Sequence, residues 1–151
     1  MNRSQRLKPV VALAEREESQ LAQAYTAQLQ HLHVAREKLQ QLVHYRLDYA
    51  VMAEQVPGRP MDLARLQGAR AFLQRLSEAI GMQEAEICRL DGFVNKARAS
   101  WLGAKRHQQS ISDLVTRYHA QERQIDDKRE QNRQDELSGQ RMAWRLNAQV
   151  G

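Results

Sequence analysis

Few side chains in this 151-residue chain are spaced for catalysis or ligation. His31 and His33 lie two residues apart, which on a helix turns them to opposite sides, so neither a shared metal nor a proton relay is supported. They read as solvated surface histidines. Cys88, the single cysteine, excludes an internal disulfide and any Cys/His ligand set, and after the apolar Ile87 it reads as a small residue flanking a seam. A lone thiol suits a reducing, cytoplasmic setting. The Gly-rich triphosphate loop, the dinucleotide GxGxxG and the zinc-binding HExxH are all missing from the sequence. The expectation is therefore a protein that is not an enzyme and takes no cofactor or metal. What is left is recognition: Tyr45 and Tyr49 stand one helical turn apart, and Phe72, Leu76 and Ala79 repeat at helical spacing further on.

The elements that carry these residues follow from composition. Ala (19), Gln (19), Arg (18) and Leu (17) supply nearly half the chain, whereas aromatics make up 5 %. These are strong helix formers, and the bulky or β-branched material of strands and compact cores is scarce. Pro9, Pro57 and Pro60 leave two Pro-free runs, 10–56 and 61–151, separated by the breaker cluster Val56-Pro57-Gly58-Arg59-Pro60. Pro9 suits a first helical turn, and Asp62 is placed to cap a second helix.

Alternating steps of three and four residues expose the period. In the first run they select Leu7, Val11, Ala14, Glu18, Leu21, Tyr25, Gln28, Leu32, Ala35, Leu39, Leu42, Arg46, Tyr49 and Ala53, of which eleven are apolar. In the second they select Leu66, Ala69, Leu73, Leu76, Ile80, Gln83, Ile87, Leu90, Val94, Ala97, Trp101, Ala104, Gln108, Ile111, Val115, Tyr118, Glu122 and Ile125, with three polar exceptions. A 3.5-residue repeat held this long specifies a left-handed coiled coil. The fold expected is all-α, a long two-helix antiparallel coiled-coil hairpin whose second helix is longer than the first. Its parts are a flexible N-terminus (1–8), a first helix (9–55), a turn (56–61), a second helix (62–137) and a loose tail (138–151) after Ser138-Gly139.

A turn centred near Gly58 sets Leu42 opposite Leu76, Tyr45 near Phe72 and Leu7 near Ser110. Everything beyond about 112 would then overhang, with Ile111, Val115, Tyr118 and Ile125 continuing an unpaired apolar stripe. Such a stripe frays, self-associates or meets a dedicated partner. The segment 126–136 is almost wholly polar, with like-charged Asp126/Glu130 beside opposite Glu130/Arg133. Tyr45, Phe72 and Ala79 fall one step off the seam, where they either pack its flank or form a protein-binding patch.

The formal charge of +5 raises nucleic acid or anionic lipid as partners, but the signs are interleaved. Arg89, Lys96, Arg98, Lys105 and Arg106 against Asp91 make the densest basic excess, a solvated face or a weak anionic contact. Gly81, Gly92 and Gly103 recur every 11 residues on one stripe, which chance, close approach by a partner or a need for flexibility would each explain. No stretch reads as a signal peptide or a spanning helix.

Taken together, Leu13-Ala14-Glu15-Arg16-Glu17, the run Leu39, Leu42, Tyr45, Tyr49, the run Phe72-Leu73, Leu76, Ala79-Ile80, then Trp101, Lys128-Arg129-Glu130-Gln131 and Asp135-Glu136 resemble FliJ, the flagellar export family, over roughly residues 7–137. The resemblance implies an antiparallel coiled coil similar to the rotary ATPase gamma stalk. It implies a non-enzymatic part of the flagellar type III export apparatus, required for flagellum assembly and motility. The partners implied are the export ATPase (FliI) ring, the export-gate protein FlhA and export chaperones, with no nucleic acid and with membrane contact only through the apparatus. The implied location is cytoplasmic, at the inner face of the inner membrane. Carried onto this sequence, the gate-facing patch is Leu42, Tyr45, Tyr49, Phe72, Leu76, Ala79 and Gln83. The ATPase-facing end would use Leu7, Val11, Ile111, Val115, Tyr118 and Ile125. A virulence-type secretion stalk and a general coiled-coil adaptor or chaperone are the alternatives.

Overall fold

A computed structural model describes residues 2–54 and 63–150. Three helices follow one another: α1 (Arg3–Arg6), α2 (Lys8–Glu54) and α3 (Leu63–Val150). No strand occurs among the described residues. The result is an all-α helical hairpin whose second long helix outruns the first. Pro57, Pro60 and the expected cap Asp62 lie outside the described residues. Pro9 occupies the first turn of α2, where a missing N–H costs nothing.

The helices pack as two units. In the unit Glu18–Gly103, α2 and α3 run antiparallel. Trp101 meets Glu18 and Tyr25, Gln83 meets Ala35, Ser77 meets Arg46, and Phe72 meets Tyr49. The core here is Leu32, Ala35, Ile80 and Val94, all under a tenth exposed. Every seam position that the 3.5-residue period picks out in this unit is buried or half-buried.

Three polar seam residues of this unit have cross-helix partners. The Trp101 indole N–H donates to Glu18 Oε1 at 2.8 Å, and the ring stacks on Tyr25 with centroids 5.6 Å apart and planes 9° from parallel. Gln83 Nε2 donates to the Ala35 carbonyl at 2.9 Å, and Arg46 reaches Ser77 Oγ at 3.5 Å. A polar residue at an otherwise apolar position is satisfied in only one alignment, so these pairs fix the register. That register lies within a few residues of the one expected: Phe72 packs on Tyr49, and Tyr45 lines the same groove with them. The small offset arises because cross-helix pairs decide the alignment, whereas the expectation placed the centre of the turn at Gly58.

The other unit joins Met1–Glu17 to Ala104–Gly151. Where a flexible N-terminus was expected, Arg3–Arg6 form a short helix that bonds to α3. Gln5 Oε1 accepts from the Asn2 N–H at 3.4 Å, and Ser4, 2 % exposed, donates to Glu122 through both its hydroxyl (2.6 Å) and its N–H (3.1 Å). These bonds to the ionised carboxylate, the hydroxyl first, hold Glu122 below the ordinary carboxylate range. Arg3 lies 5.6 Å over the Tyr118 ring. Pairing thus continues well past residue 112, and Leu7, Val11, Ile111, Val115 and Tyr118 are half-buried in the seam instead of overhanging it. Of the expected stripe only Ile125 is exposed, at 52 %.

Helix α3 also runs through the expected tail to Val150. Ser138-Gly139 does not stop it. A glycine in a helix interior costs only about 1 kcal/mol, which the helix-forming neighbours Gln140-Arg141-Met142-Ala143 can absorb. The striped glycines Gly81, Gly92 and Gly103 are exposed, and an added Cβ at each would meet nothing within 4 Å. No close approach within the chain needs them. Gly92→Ala should therefore stabilise the protein by about 1 kcal/mol, read as a melting temperature about 3 °C higher in a circular-dichroism melt.

Candidate functional site

Near the end of α2 the side chains at Tyr45, Asp48 and Met52 stand three and four residues apart and so share one face. Across from them, Phe72 and Leu76 are one turn apart on α3. Together with Tyr49 these residues line a shallow groove in the Glu18–Gly103 unit. Tyr49 and Phe72 form its floor, with ring centroids 4.6 Å apart and planes tilted by 57°. Tyr45 (62 %), Met52 (66 %) and Phe72 (43 %) remain open to solvent. Apolar surface of this kind on an otherwise Gln/Arg/Glu helix pair is the sort that protein partners use as an anchor.

The structure brings Tyr45, Tyr49, Phe72 and Leu76 of the sequence-derived patch into this groove. Leu42 and Ala79 are half-buried and outside its lining. Gln83 does not belong to the surface patch: it is 9 % exposed and its amide is spent on the Ala35 carbonyl inside the seam. Asp48 and Met52, which sequence reasoning passed over, line the groove instead. Their spacing from Tyr45, three and seven residues, was the available signal.

In the Met1–Glu17/Ala104–Gly151 unit, Ile125 borders a second groove with Asn2, Arg3, Tyr118, Gln121 and Glu122. Further along α3, Leu137 (49 %), Met142 (70 %), Trp144 (80 %) and Leu146 (61 %) are exposed. Leu137 and Trp144, seven residues apart, flank a third hollow with Gln140, Arg141 and Arg145. Leu137 ends the expected second helix, whereas Met142, Trp144 and Leu146 fall in the expected tail, although Leu137 and Trp144 stand at helical spacing.

Elsewhere the chemistry is local. His33 pairs with Glu37 at 3.0 Å and His44 with Asp48 at 3.3 Å, each one turn along the same helix. Arg89 binds Glu86 and lies 5.4 Å over Phe93, so the expected basic excess is partly neutralised by a carboxylate three residues upstream. The hydrogen bond from Arg89 holds Glu86 below the usual carboxylate range, with nearby Lys38 adding to the effect. Cys88 is exposed. Among the described residues no group of three or more metal-ligating side chains converges, and no helix is long and apolar enough to cross a membrane.

No curated protein and no solved structure gives a significant match to the chain. A family model does: the one described as Flagellar FliJ protein aligns with residues 3–147, which places the antiparallel seam, the aromatic groove and most of the α3 extension inside one family. The chain belongs to the FliJ family and is a coiled-coil protein of flagellar type III export.

Proposed function

We propose that this chain is a non-enzymatic stalk of the flagellar export apparatus that links the export ATPase (FliI) ring to the export gate (FlhA) and also engages export chaperones. The observation that carries the reading is the solvent-open groove of Tyr45, Tyr49, Met52 and Phe72. It is a largely apolar anchor point on a member of an export family. We assign the gate to this groove, with Leu42, Leu76 and Ala79 supporting its walls from half-buried positions.

The ATPase ring belongs to the other unit. Leu7, Val11, Ile111, Val115 and Tyr118 serve there as the seam that holds α1, α2 and α3 together, while Ile125 and the exposed Leu137, Met142, Trp144 and Leu146 offer contact surface. On the helical wheel Leu137 and Trp144 face one way and Met142 and Leu146 the other. Apolar residues on opposite sides suit a helix enclosed by its partner, as inside a ring. The family is a flagellar one, which favours this reading over a virulence-type stalk. The location that goes with it is the cytoplasmic face of the inner membrane, reached through the apparatus and not by a span.

Co-precipitation of the gate's cytoplasmic domain and of the ATPase by purified variants tests both assignments. Tyr45→Ala/Phe72→Ala should lose the gate by about thirtyfold or more and keep the ATPase, since an aromatic anchor carries about 2 kcal/mol or more. A chain ending at Asp135 keeps the Ser4–Glu122 bond and should do the reverse. Normal binding of both partners by both variants would defeat the assignments.

A further inference from the structure

The groove assigned to the gate contains one charged side chain, Asp48, among three aromatic rings. That is a local reversal on a chain of net charge +5. His44 Nε2 holds one carboxylate oxygen, Oδ2, at 3.3 Å, and the other, Oδ1, has no partner among the described residues. Asp48 is more than half exposed, and Tyr45 and Phe72 are open beside it. Electron-rich ring faces next to a carboxylate recognise a cation. A planar guanidinium uses both, stacking on a ring while its N–H fork pairs with the carboxylate. A purely apolar side chain would fill the groove but cover the open Oδ1 of Asp48 without giving it a partner, which costs binding energy.

We propose that this groove is a receptor for an arginine side chain presented by the partner, with Asp48 its charge-pairing residue and Tyr45 and Phe72 its stacking faces. The identity of that partner as the gate rests on the functional reading above; the side-chain preference does not. Met52, unbranched and adaptable, closes the open side over the aliphatic stem of the incoming residue.

Two arms test the proposal on the full chain. In the first, isotope-labelled protein is titrated by NMR with N-acetyl-arginine amide and with N-acetyl-leucine amide. The arginine compound should shift Tyr45, Asp48 and Phe72 resonances and bind about fivefold more tightly than the leucine one. Asp48→Asn should remove that preference and Asp48→Glu restore it. Equal or tighter binding of the leucine compound, or a preference unchanged in Asp48→Asn, overturns the proposal. In the second arm, Asp48→Asn should weaken capture of the gate domain by about tenfold and flatten its salt dependence. Capture unaltered in affinity and salt response counts against an arginine in this groove. Failure of the wild-type chain to capture the gate would refute the functional reading, while the first arm still decides the chemistry of the groove.

Discussion

Ile80→Asp should cost about 4 kcal/mol or more and abolish a cooperative melt of the Glu18–Gly103 unit. Ile80 is 4 % exposed and sits three residues before Gln83, whose amide bonds the Ala35 carbonyl across the seam. The substitution removes about 2 to 3 kcal/mol of apolar burial. It also places an unpaired carboxylate at a position only 4 % exposed to water, adding about 2 kcal/mol or more. A two-stranded seam has no deeper layer into which the site can collapse. The check is a urea melt followed by circular dichroism, which should lose its sharp transition. An unchanged midpoint would show that this stretch of the seam is not what holds the helices together. Because the groove is built across the same pair of helices, gate capture should fall with the fold, whereas Asp48→Asn should weaken capture while the melt stays unchanged.

The second large effect belongs to Trp101. Truncation to alanine loses the stack on Tyr25, worth about 1 kcal/mol, and the hydrogen bond to the Glu18 side chain, worth about 1.5 to 3 kcal/mol. A total of about 3 kcal/mol is expected. Trp101→Phe separates the two, since a phenyl ring keeps the stack but cannot donate to Glu18. It should retain about a third of the lost stability, about 1 kcal/mol. Equal destabilisation by the two substitutions would assign the whole effect to the hydrogen bond.

How far the sequence foretold this molecule depends on the residue. The 3.5-residue count located the seam from Leu7 to Glu122 because narrow apolar stripes leave few other ways to pair two helices. Ile125 broke the pattern, since it falls where the N-terminal residues run out. The register was less legible. Glu18, Gln83 and Glu122 looked like blemishes in an apolar stripe, yet each is satisfied by a residue on the facing helix, and such partners cannot be read from one strand of the pattern. The helical course of 138–150 was missed because a Ser-Gly pair reads as a stop, although a single glycine penalty is small beside the helical preference around it. For the groove, Tyr45 and Phe72 were legible from their position one step off the seam, and Tyr49 from its place on it. Asp48 and Met52 were overlooked because neither type stands out until it is placed next to a ring.

The chain holds two tryptophans, and the structure gives them unlike surroundings. Trp101 is half-buried, stacked and hydrogen-bonded, whereas Trp144 is 80 % exposed on the far stretch of α3. Their fluorescence is therefore separable without any attached label. In Trp101→Phe the emission comes from Trp144 alone, red-shifted and open to collisional quenchers. Enclosure of that end by a ring would move it to the blue and shield it. The complementary Trp144→Phe chain would report only on the seam, so docking at one end and tightening along the helix pair could be followed as two signals in time.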